Sequence, residues 1–181
     1  MDDSNALLSP TDYENLYFSQ EELPPRNYAH QAIRAGGTSI RTLNPWWITG
    51  FVDAEGSFGI NTTTTDSGML KASLQFKVSQ NAPNRTVLEG LIDYFGAGRV
   101  NIDKSTTNTL KFQIQDLPSI REKVSSHFEK YPLRTSKGLD YQNWLQAMEI
   151  IADKKHLTPE GKEKILDLKT IMNNSRPPQE R

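Results

Sequence analysis

Residues 47–58, with the sequence WITGFVDAEGSF, decide how the folded part of this chain is organised. They follow Asn44-Pro45, a pair typical of a helix start, because Asn caps the free N–H groups and Pro fits the first helical turn. The short apolar segment predicts a helix over residues 45–55. Gly56 is expected to end this helix in the left-handed conformation that glycine adopts without strain.

The small and acidic residues of this helix indicate two uses. Gly50 and Ala54 are four residues apart and share one helix face, where small side chains allow a second helix to approach. Asp53 and Glu55 lie at the C-terminal end, where the helix dipole disfavours negative charge. Such anions favour a compensating cation, and a hard ion such as Mg²⁺ binds carboxylates together with phosphate oxygens. The alternative is an ordinary helix with two exposed acids.

Four stretches after the helix alternate apolar and polar residues, which is typical of strands with one buried face. A helix over residues 85–95, ended by Gly96, separates two strand pairs, and the third strand directs Val100 and Ile102 inward. The order predicts an α+β fold, αββαββα, with one four-stranded antiparallel sheet and C-terminal helices. The strands are expected at 57–62, 71–79, 98–103 and 109–115, and the last helices at 117–131, 139–153 and 159–173, the last with Thr158 as its N-cap.

The outward positions of these strands are polar. A solvated sheet face is the common interpretation, but Gln, Asn, Arg and Lys are also the side chains that pair with base edges in the major groove. No aromatic residue lies on this face, which disfavours stacking of single-stranded nucleic acid there. The polar set comprises Asn61, Ser73, Gln75, Lys77, Ser79, Arg99, Asn101, Lys111, Gln113 and Gln115, with Lys104 at the edge and Asp103 as the opposing acid.

Composition narrows the class of protein. The 181 residues contain no cysteine, which excludes disulfide scaffolds, thiolate zinc sites and cysteine nucleophiles. No apolar run approaches the roughly 18 residues of a membrane span. The net charge of −1 divides into −4 over residues 1–40 and +3 over the remainder. We therefore expect an acidic, disordered arm over 1–43, a folded domain over 44–175 and a tail over 176–181.

Residues 48–56 resemble the LAGLIDADG motif of homing endonucleases and maturases, in particular the branch encoded in fungal mitochondrial introns. The flanks are similar as well, and the resemblance covers roughly residues 44–175. The matching flanks are NPW at 44–46, FKVSQ at 76–80, FGAG at 95–98, KYPLRTSK at 130–137 and HLTPEG at 156–161.

The resemblance implies a role for each matching position. Glu55 corresponds to the acid that binds the divalent metal at the scissile phosphate, Gln80 to a residue that orients the attacking water, and Lys137 to a lysine that stabilises charge there. Asp53 is expected to brace the helix ends. The remaining positions are Gly50 and Ala54 for helix packing, and Asn61, Ser73, Gln75, Lys77, Arg85, Arg99, Asn101, Lys104, Lys111 and Gln113 for DNA binding.

The function implied by the resemblance is site-specific double-strand cleavage of DNA with Mg²⁺, for which Mn²⁺ can substitute. A single motif implies a homodimer on a pseudo-palindromic site, or half of a two-motif protein. Expression in mitochondria is implied, with chloroplasts as the alternative, and no membrane partner is expected. Two other functions stay open: a maturase that binds intron RNA, and a non-catalytic nucleic-acid-binding protein of the same fold.

Overall fold

The structure is a computed structural model that describes residues 43–66, 68–103 and 108–172. Its element order confirms the predicted α+β arrangement, with two hairpins separated by a helix and followed by further helices. The predicted arm, the tail and Lys104 lie outside the described residues, except for Leu43 at the end of the arm. The elements are α1 (Pro45–Glu55), β1 (Gly56–Thr64), β2 (Leu70–Asn81), α2 (Arg85–Phe95), β3 (Arg99–Ile102), β4 (Thr109–Ile114), α3 (residues 117–130), α4 (Lys137–Ala152) and α5 (Pro159–Ile171).

The four strands form one antiparallel sheet in the order β1-β2-β4-β3. Phe58 of β1 pairs with Phe76 of β2, and Phe112 of β4 pairs with Val78 of β2. All four of these side chains are fully buried, and the rings of Phe58 and Phe76 stack with centroids 5.4 Å apart. The alternation therefore produces one apolar sheet face, as the sequence predicts.

The helices cover this apolar face and leave the polar face open within the described part of the chain. Trp144 of α4 is fully buried against Phe58, and its indole N–H donates to the carbonyl oxygen of Gly59 at 3.1 Å. The other helices each contribute an apolar stripe to the same core. These stripes are Ile48 and Val52 in α1, Leu88, Leu91 and Phe95 in α2, Ile120, Val124 and Phe128 in α3, and Ile165 and Leu168 in α5.

The predicted helix caps are present where side chains supply them. The Asn44 side-chain oxygen accepts from the backbone N–H groups of Trp46 at 2.9 Å and Trp47 at 3.3 Å. Thr158 accepts from the N–H of Gly161 at 3.1 Å, and Gly96 ends α2 in the left-handed conformation with φ of 55°. These local signals located the starts of α1 and α5 and the end of α2.

The left-handed conformation predicted for Gly56 is wrong. Its φ is −78° and its ψ is 161°, so the chain passes from α1 directly into the extended backbone of β1. A Cβ at this position would lie 2.5 Å from Cγ1 and 2.6 Å from the carbonyl oxygen of Val52. Gly56 is thus required for close backbone approach, and this sharp junction fixes where Glu55 lies relative to the sheet.

Two further details depart from the sequence prediction. Ile102 was expected to point inward but is 70% exposed, since it is the last residue of a four-residue strand at the edge of the sheet. The helix over 117–130 contains a π-helical stretch, Ile120–Ser125, where the Ser125 hydroxyl donates to the carbonyl oxygen of Ile120 at 3.2 Å. In the described ranges, no helix has the length and apolar character needed to cross a bilayer.

Candidate active site

Glu55 is an exposed carboxylate at the C-terminal end of α1. No hydrogen bond or ion pair to its side chain is formed by residues 43–66, 68–103 or 108–172. The apolar helix face, with Ile48 and Val52, anchors α1 against the core, and Gly56 begins β1 immediately afterwards. This local sequence therefore holds an unbonded acid at the point where the helix meets the sheet.

Asp53 makes three contacts with the segment that precedes α4. Its carboxylate accepts from the backbone N–H groups of Arg134 at 2.9 Å and Thr135 at 3.3 Å, and from the Thr135 hydroxyl at 2.6 Å. Both carboxylate oxygens are engaged in these bonds. Asp53 thus connects α1 to residues 134–135 and is not a free ligand as Glu55 is.

Lys137 lies beside both acids. Helix α4 begins at Lys137, two residues earlier than predicted, and its ammonium donates to the carbonyl oxygen of Gly56. Burial lowers the pKa of Lys137, while the negative charges of Asp53, Asp140 and Glu55 act in the opposite direction. The structure therefore brings Lys137 next to Asp53 and Glu55, although the lysine follows these acids by 82 residues or more in the sequence.

Gln80 lies at the same end of the sheet. Gly56, the first residue of β1, pairs with Val78 of β2, and Gln80 lies two residues further along β2. Gln80 itself pairs with Leu110 of β4. Its side-chain oxygen accepts from the N–H of Asn81 at 2.8 Å, and the side chain is half-buried. By the alternation of β2 it lies on the helix side of the sheet, the side on which α1 ends.

The predicted DNA-binding residues of the strands form cross-strand rows on the polar face. Lys77 pairs with Ser57 on one side and with Gln113 on the other, and Gln113 pairs in turn with Arg99. A second row consists of Ser79, Lys111 and Asn101, in which the Lys111 ammonium is 3.8 Å from the carboxylate of Asp103. Asn61 and Ser73 form an exposed pair nearer the β1–β2 turn.

Gln113 differs from the exposed base-reading residue that the sequence predicts. It is only 8% exposed, and its amide lies between the Gln75 amide, at 3.0 Å, and Arg99. With its oxygen turned to the guanidinium, it accepts from Nε at 3.0 Å and from Nη2 at 2.8 Å, and its amide N–H then donates toward the Gln75 amide, whose oxygen turns to accept it. Arg99 Nη2 also donates to Gln115 at 2.7 Å. Gln113 therefore holds Gln75 and Arg99 in place on the polar face.

Arg85 is not on the sheet. It is the first residue of α2, and its guanidinium Nε donates to Glu89 at 2.7 Å in an exposed ion pair. The structure thus separates Arg85 from the rows of the polar face. An exposed pair of this kind contributes little to stability.

The packing face predicted for α1 has no partner within the described residues. A Cβ on Gly50 would meet nothing within 4 Å, and Ala54 is exposed on the same face. Trp47 and Phe51 flank these small residues and stack with ring centroids 4.9 Å apart. Helix α1 therefore packs one face into the core of the domain. A second face carries the small residues Gly50 and Ala54, with the rings of Trp47 and Phe51 beside them.

A buried hydrogen-bond chain that the sequence reasoning missed fixes α1 to the helix layer. Thr49 donates to the carbonyl oxygen of Tyr131 at 2.9 Å and lies 3.2 Å from His127 Nε2, while the Tyr94 hydroxyl lies 2.9 Å from His127 Nδ1. Since the Thr49 proton is already used, Nε2–H donates to Thr49 and Nδ1 accepts from Tyr94. The sequence signal for this chain was a polar residue on each of two apolar helix faces, Thr49 in α1 and His127 in α3.

This chain predicts a loss of stability in acid. Burial lowers the pKa of His127 from 6.5 to about 4. Between pH 6.5 and pH 4, His127 is protonated in the unfolded chain but stays neutral in the folded chain. The free energy of unfolding therefore falls as the pH drops below 6.5, by roughly 3 kcal/mol at pH 4. Chemical denaturation of wild type and His127→Gln at pH 7 and pH 4.5 measures this. The wild type should lose more stability than the variant, and equal losses would contradict the assignment.

The chain is similar in sequence to several known proteins. The family model described as LAGLIDADG endonuclease matches residues 48–148. An uncharacterized 50.9 kDa protein in ND4 intron 1 of Podospora anserina is 38% identical over 124 residues, which cover 66% of this chain and 27% of that protein. Probable intron-encoded endonuclease 2 of Neurospora crassa is 32% identical over 154 residues, with coverages of 82% and 34%. The chain spans about a third or less of these relatives.

Solved structures show the same fold. Meganuclease I-SmaMI, bound to uncleaveable DNA, superposes with a TM-score of 0.69 at 34% identity, over 74% of this chain and 46% of that chain. Another structure of I-SmaMI holds its uncleaved DNA target in the presence of calcium ions. The homing endonuclease I-TnaI gives a TM-score of 0.68 at 30% identity, over 74% of this chain and 90% of that chain.

These findings confirm the predicted fold and the predicted relationship to proteins encoded in fungal mitochondrial introns. The motif that begins at Ile48 lies at the start of the matched residues. The chain belongs to the LAGLIDADG endonuclease family.

Proposed function

We propose that this chain supplies one half of a site-specific double-strand DNA endonuclease. The observation that carries the proposal is the unbonded Glu55 carboxylate beside the Lys137 ammonium, at the end of a sheet whose open face is polar. An acid and a cation held together at the edge of a polar sheet face suit hydrolysis of a phosphodiester.

The residues present fit a divalent metal in part. The Glu55 carboxylate is a hard oxygen ligand, suited to Mg²⁺ or Mn²⁺. Within residues 43–66, 68–103 and 108–172, no three acids or histidines are grouped so that they could hold a metal alone. Glu55 would therefore hold the ion together with DNA phosphate oxygens and an acid from a second copy. When bound, the ion would supply charge stabilisation for the attacking and leaving oxygens.

The other site residues would position the reacting groups. The Lys137 ammonium would stabilise negative charge that develops on the phosphate, and the Gly56 carbonyl holds that ammonium in place. Gln80 would orient the attacking water from the same end of the sheet. Asp53 would keep residues 134–135 against α1, and so keep Lys137 near Glu55.

The polar face would read the target in the major groove. A sheet strand pair fits that groove, and Arg99, Gln75, Lys77 and Asn101 can bond to base edges or phosphates. The Gln113 bridge would fix the rotamers of Gln75 and Arg99 before DNA arrives, which lowers the entropy cost of binding. Lys104 would add a phosphate contact, and Asn61, Ser73 and Lys111 complete the set.

A second copy of the chain would complete the enzyme. The open α1 face at Gly50 and Ala54 allows close approach of an equivalent helix. The match spans 46% of I-SmaMI but 90% of I-TnaI, which indicates that one such unit forms about half of one protein and nearly all of another. Two units related by a two-fold axis would place one Glu55 near each DNA strand. Because its relatives carry the names of fungal mitochondrial introns, we also infer that it acts in mitochondria.

The function can be tested by cleavage selection on a DNA library that contains randomised sites and intron-insertion sites. With Mg²⁺ or Mn²⁺, the purified chain should recover sites that are cut on both strands. Tight binding of a selected site without cleavage under either metal would contradict the enzyme function and favour the non-catalytic alternative.

Enlarging Gly50 should separate folding from assembly. Since nothing lies within 4 Å of a Cβ at this position, Gly50→Leu should leave thermal unfolding of the single chain nearly unchanged. It should reduce DNA cleavage by at least about 100-fold, because overpacked side chains keep two helices apart. Analytical ultracentrifugation on target duplex should show two wild-type chains per duplex and one variant chain.

Glu163→Leu on the exposed face of α5 is the matched control for Gly50→Leu, since it adds an apolar side chain away from α1. It should retain two chains per duplex. A wild-type complex with a single chain, or full cleavage by Gly50→Leu, would contradict the homodimer.

Removing the charge of Lys137 should slow cleavage more than it weakens binding. Lys137→Met keeps the unbranched side chain up to the position of Cε and removes the ammonium, and we expect a loss of cleavage rate of about 100-fold with nearly unchanged DNA affinity. Single-turnover cleavage and gel-shift titrations measure the two effects. A mixture of wild type and variant should nick supercoiled plasmid, because only one copy in a mixed pair is active. Equal cleavage rates for wild type and Lys137→Met would exclude charge stabilisation by the Lys137 ammonium.

A further inference from the structure

A cleft on the helix layer has the composition of a nucleic-acid site and lies apart from the polar sheet face. It is an open depression between α2 and α3 with a volume of about 340 Å³. Two lysines and two tyrosines dominate its lining, and no acid contributes to it. The lining residues are Tyr94, Phe95, Lys123, Ser126, His127, Lys130 and Tyr131.

Cations and aromatic rings alternate from this cleft to the start of α1. The Lys130 ammonium lies 5.4 Å from the centre of the Tyr131 ring, whose edge meets Trp46 at a centroid distance of 5.2 Å. The Arg134 guanidinium lies 5.7 Å from the Trp46 ring, which is 46% exposed. We call Trp46, Lys123, Lys130, Tyr131 and Arg134 the cation–aromatic strip.

The two lysines of the strip have no acidic partner within the described residues, whereas the backbone N–H of Arg134 donates to the Asp53 carboxylate. Lys123 and Lys130 are exposed, and neither forms an ion pair with any residue of the described ranges. Glu122 and Glu129 of α3 are exposed but do not line the cleft. Burial raises the pKa of Tyr141 of α4 to about 12, and the negative charge of Glu129 adds a smaller contribution in the same direction.

The strip and the polar sheet face lie on opposite sides of the core. Leu91 of α2 and Val124 of α3 are fully buried in the core that covers the apolar sheet face. Lys123 and Lys130 are exposed on α3 and thus face away from that core. A duplex on the polar face would leave the strip accessible to another nucleic acid.

We propose that the cation–aromatic strip binds single-stranded polynucleotide, independently of the duplex on the polar face. Ring faces stack on unpaired bases, and the lysines and Arg134 contact the phosphates between them. The polar face has cations without rings, which suits duplex DNA, whereas the strip has both. The cleft accommodates one base against Tyr94 and Tyr131 with phosphates at Lys123 and Lys130.

Fluorescence anisotropy with the full chain tests this site. The probes are labelled RNA and DNA single strands of about 20 nucleotides, and a target duplex. The variants are Lys123→Gln/Lys130→Gln and Trp46→Ala for the strip, with Lys77→Gln/Lys111→Gln as the matched control on the sheet. Circular dichroism and thermal unfolding verify that each variant folds.

The strip variants should weaken single-strand binding at least about 10-fold and duplex binding less than about twofold, with the reverse pattern for the sheet control. Equal affinity for RNA and DNA would support recognition of phosphates and bases, and preference for RNA would support an added 2′-hydroxyl contact. Unchanged single-strand binding by the strip variants, equal losses in both double variants, or no single-strand binding by wild type would overturn the proposal.

Discussion

The Glu55→Gln chain should bind its target duplex as tightly as wild type and fail to cut it. The substitution preserves the size of the side chain but removes its negative charge. Glu55 is the acid at this end of the sheet whose side chain forms no bond within the described residues. Without that charge the site loses its metal ligand, and we expect the cleavage rate to fall by roughly 10³-fold or more. Single-turnover cleavage with Mg²⁺ measures the rate, and a gel-shift titration with Ca²⁺ measures binding.

Two controls make the Glu55 result specific. Glu122→Gln makes the same chemical change at an exposed position of α3 and should leave cleavage unchanged. Asp53→Asn should instead lower thermal stability, because Asp53 accepts bonds from Arg134 and Thr135. Cleavage by Glu55→Gln within tenfold of wild type would exclude Glu55 as the metal ligand.

Gly161→Ala should destabilise the fold by about 3 kcal/mol, which corresponds to a fall in Tm of roughly 10 °C. An added Cβ would lie 1.9 Å from the carbonyl oxygen of Lys155 and 2.5 Å from its carbonyl carbon, so the backbone of the preceding 3₁₀ turn would have to move. Helix propensity alone predicts the opposite sign, a gain of about 1 kcal/mol in α5. Thermal unfolding followed by circular dichroism measures the change.

Gly138→Ala is the matched control for Gly161→Ala. It lies in the first turn of α4, where an added Cβ would make only ordinary contacts with Leu133 at 3.7 Å or more. Its Tm should stay the same or rise. An unchanged or raised Tm for Gly161→Ala would contradict close packing of the Lys155–Leu157 turn on α5.

Much of the fold was predictable because its signals are local. Asn44 and Thr158 cap helices by bonding N–H groups two or three residues away, and the alternation from Leu74 to Val78 defines the sheet faces. Gly56 shows the limit of such signals. A glycine after a helix predicts a left-handed residue, but here glycine is required by contact with Val52.

The site was predictable only in part, since its geometry depends on contacts between distant residues. The motif identified Glu55 and Asp53, but Asp53 bonds to Thr135 and Lys137 bonds to Gly56 only after the chain has folded. Similarly, Gln113 has the sequence of an exposed strand residue, yet the neighbouring strands bury it. The Thr49–His127 contact joins two helices that no sequence period relates.

Cleavage of a supercoiled plasmid that carries the selected target measures endonuclease activity itself. With the full chain and Mg²⁺, we expect linear plasmid whose ends map to one site on both strands, and no product when a chelator removes the metal. Intact plasmid under conditions where the chain occupies the site, or cleavage that continues with the metal removed, would contradict metal-dependent cleavage by this chain.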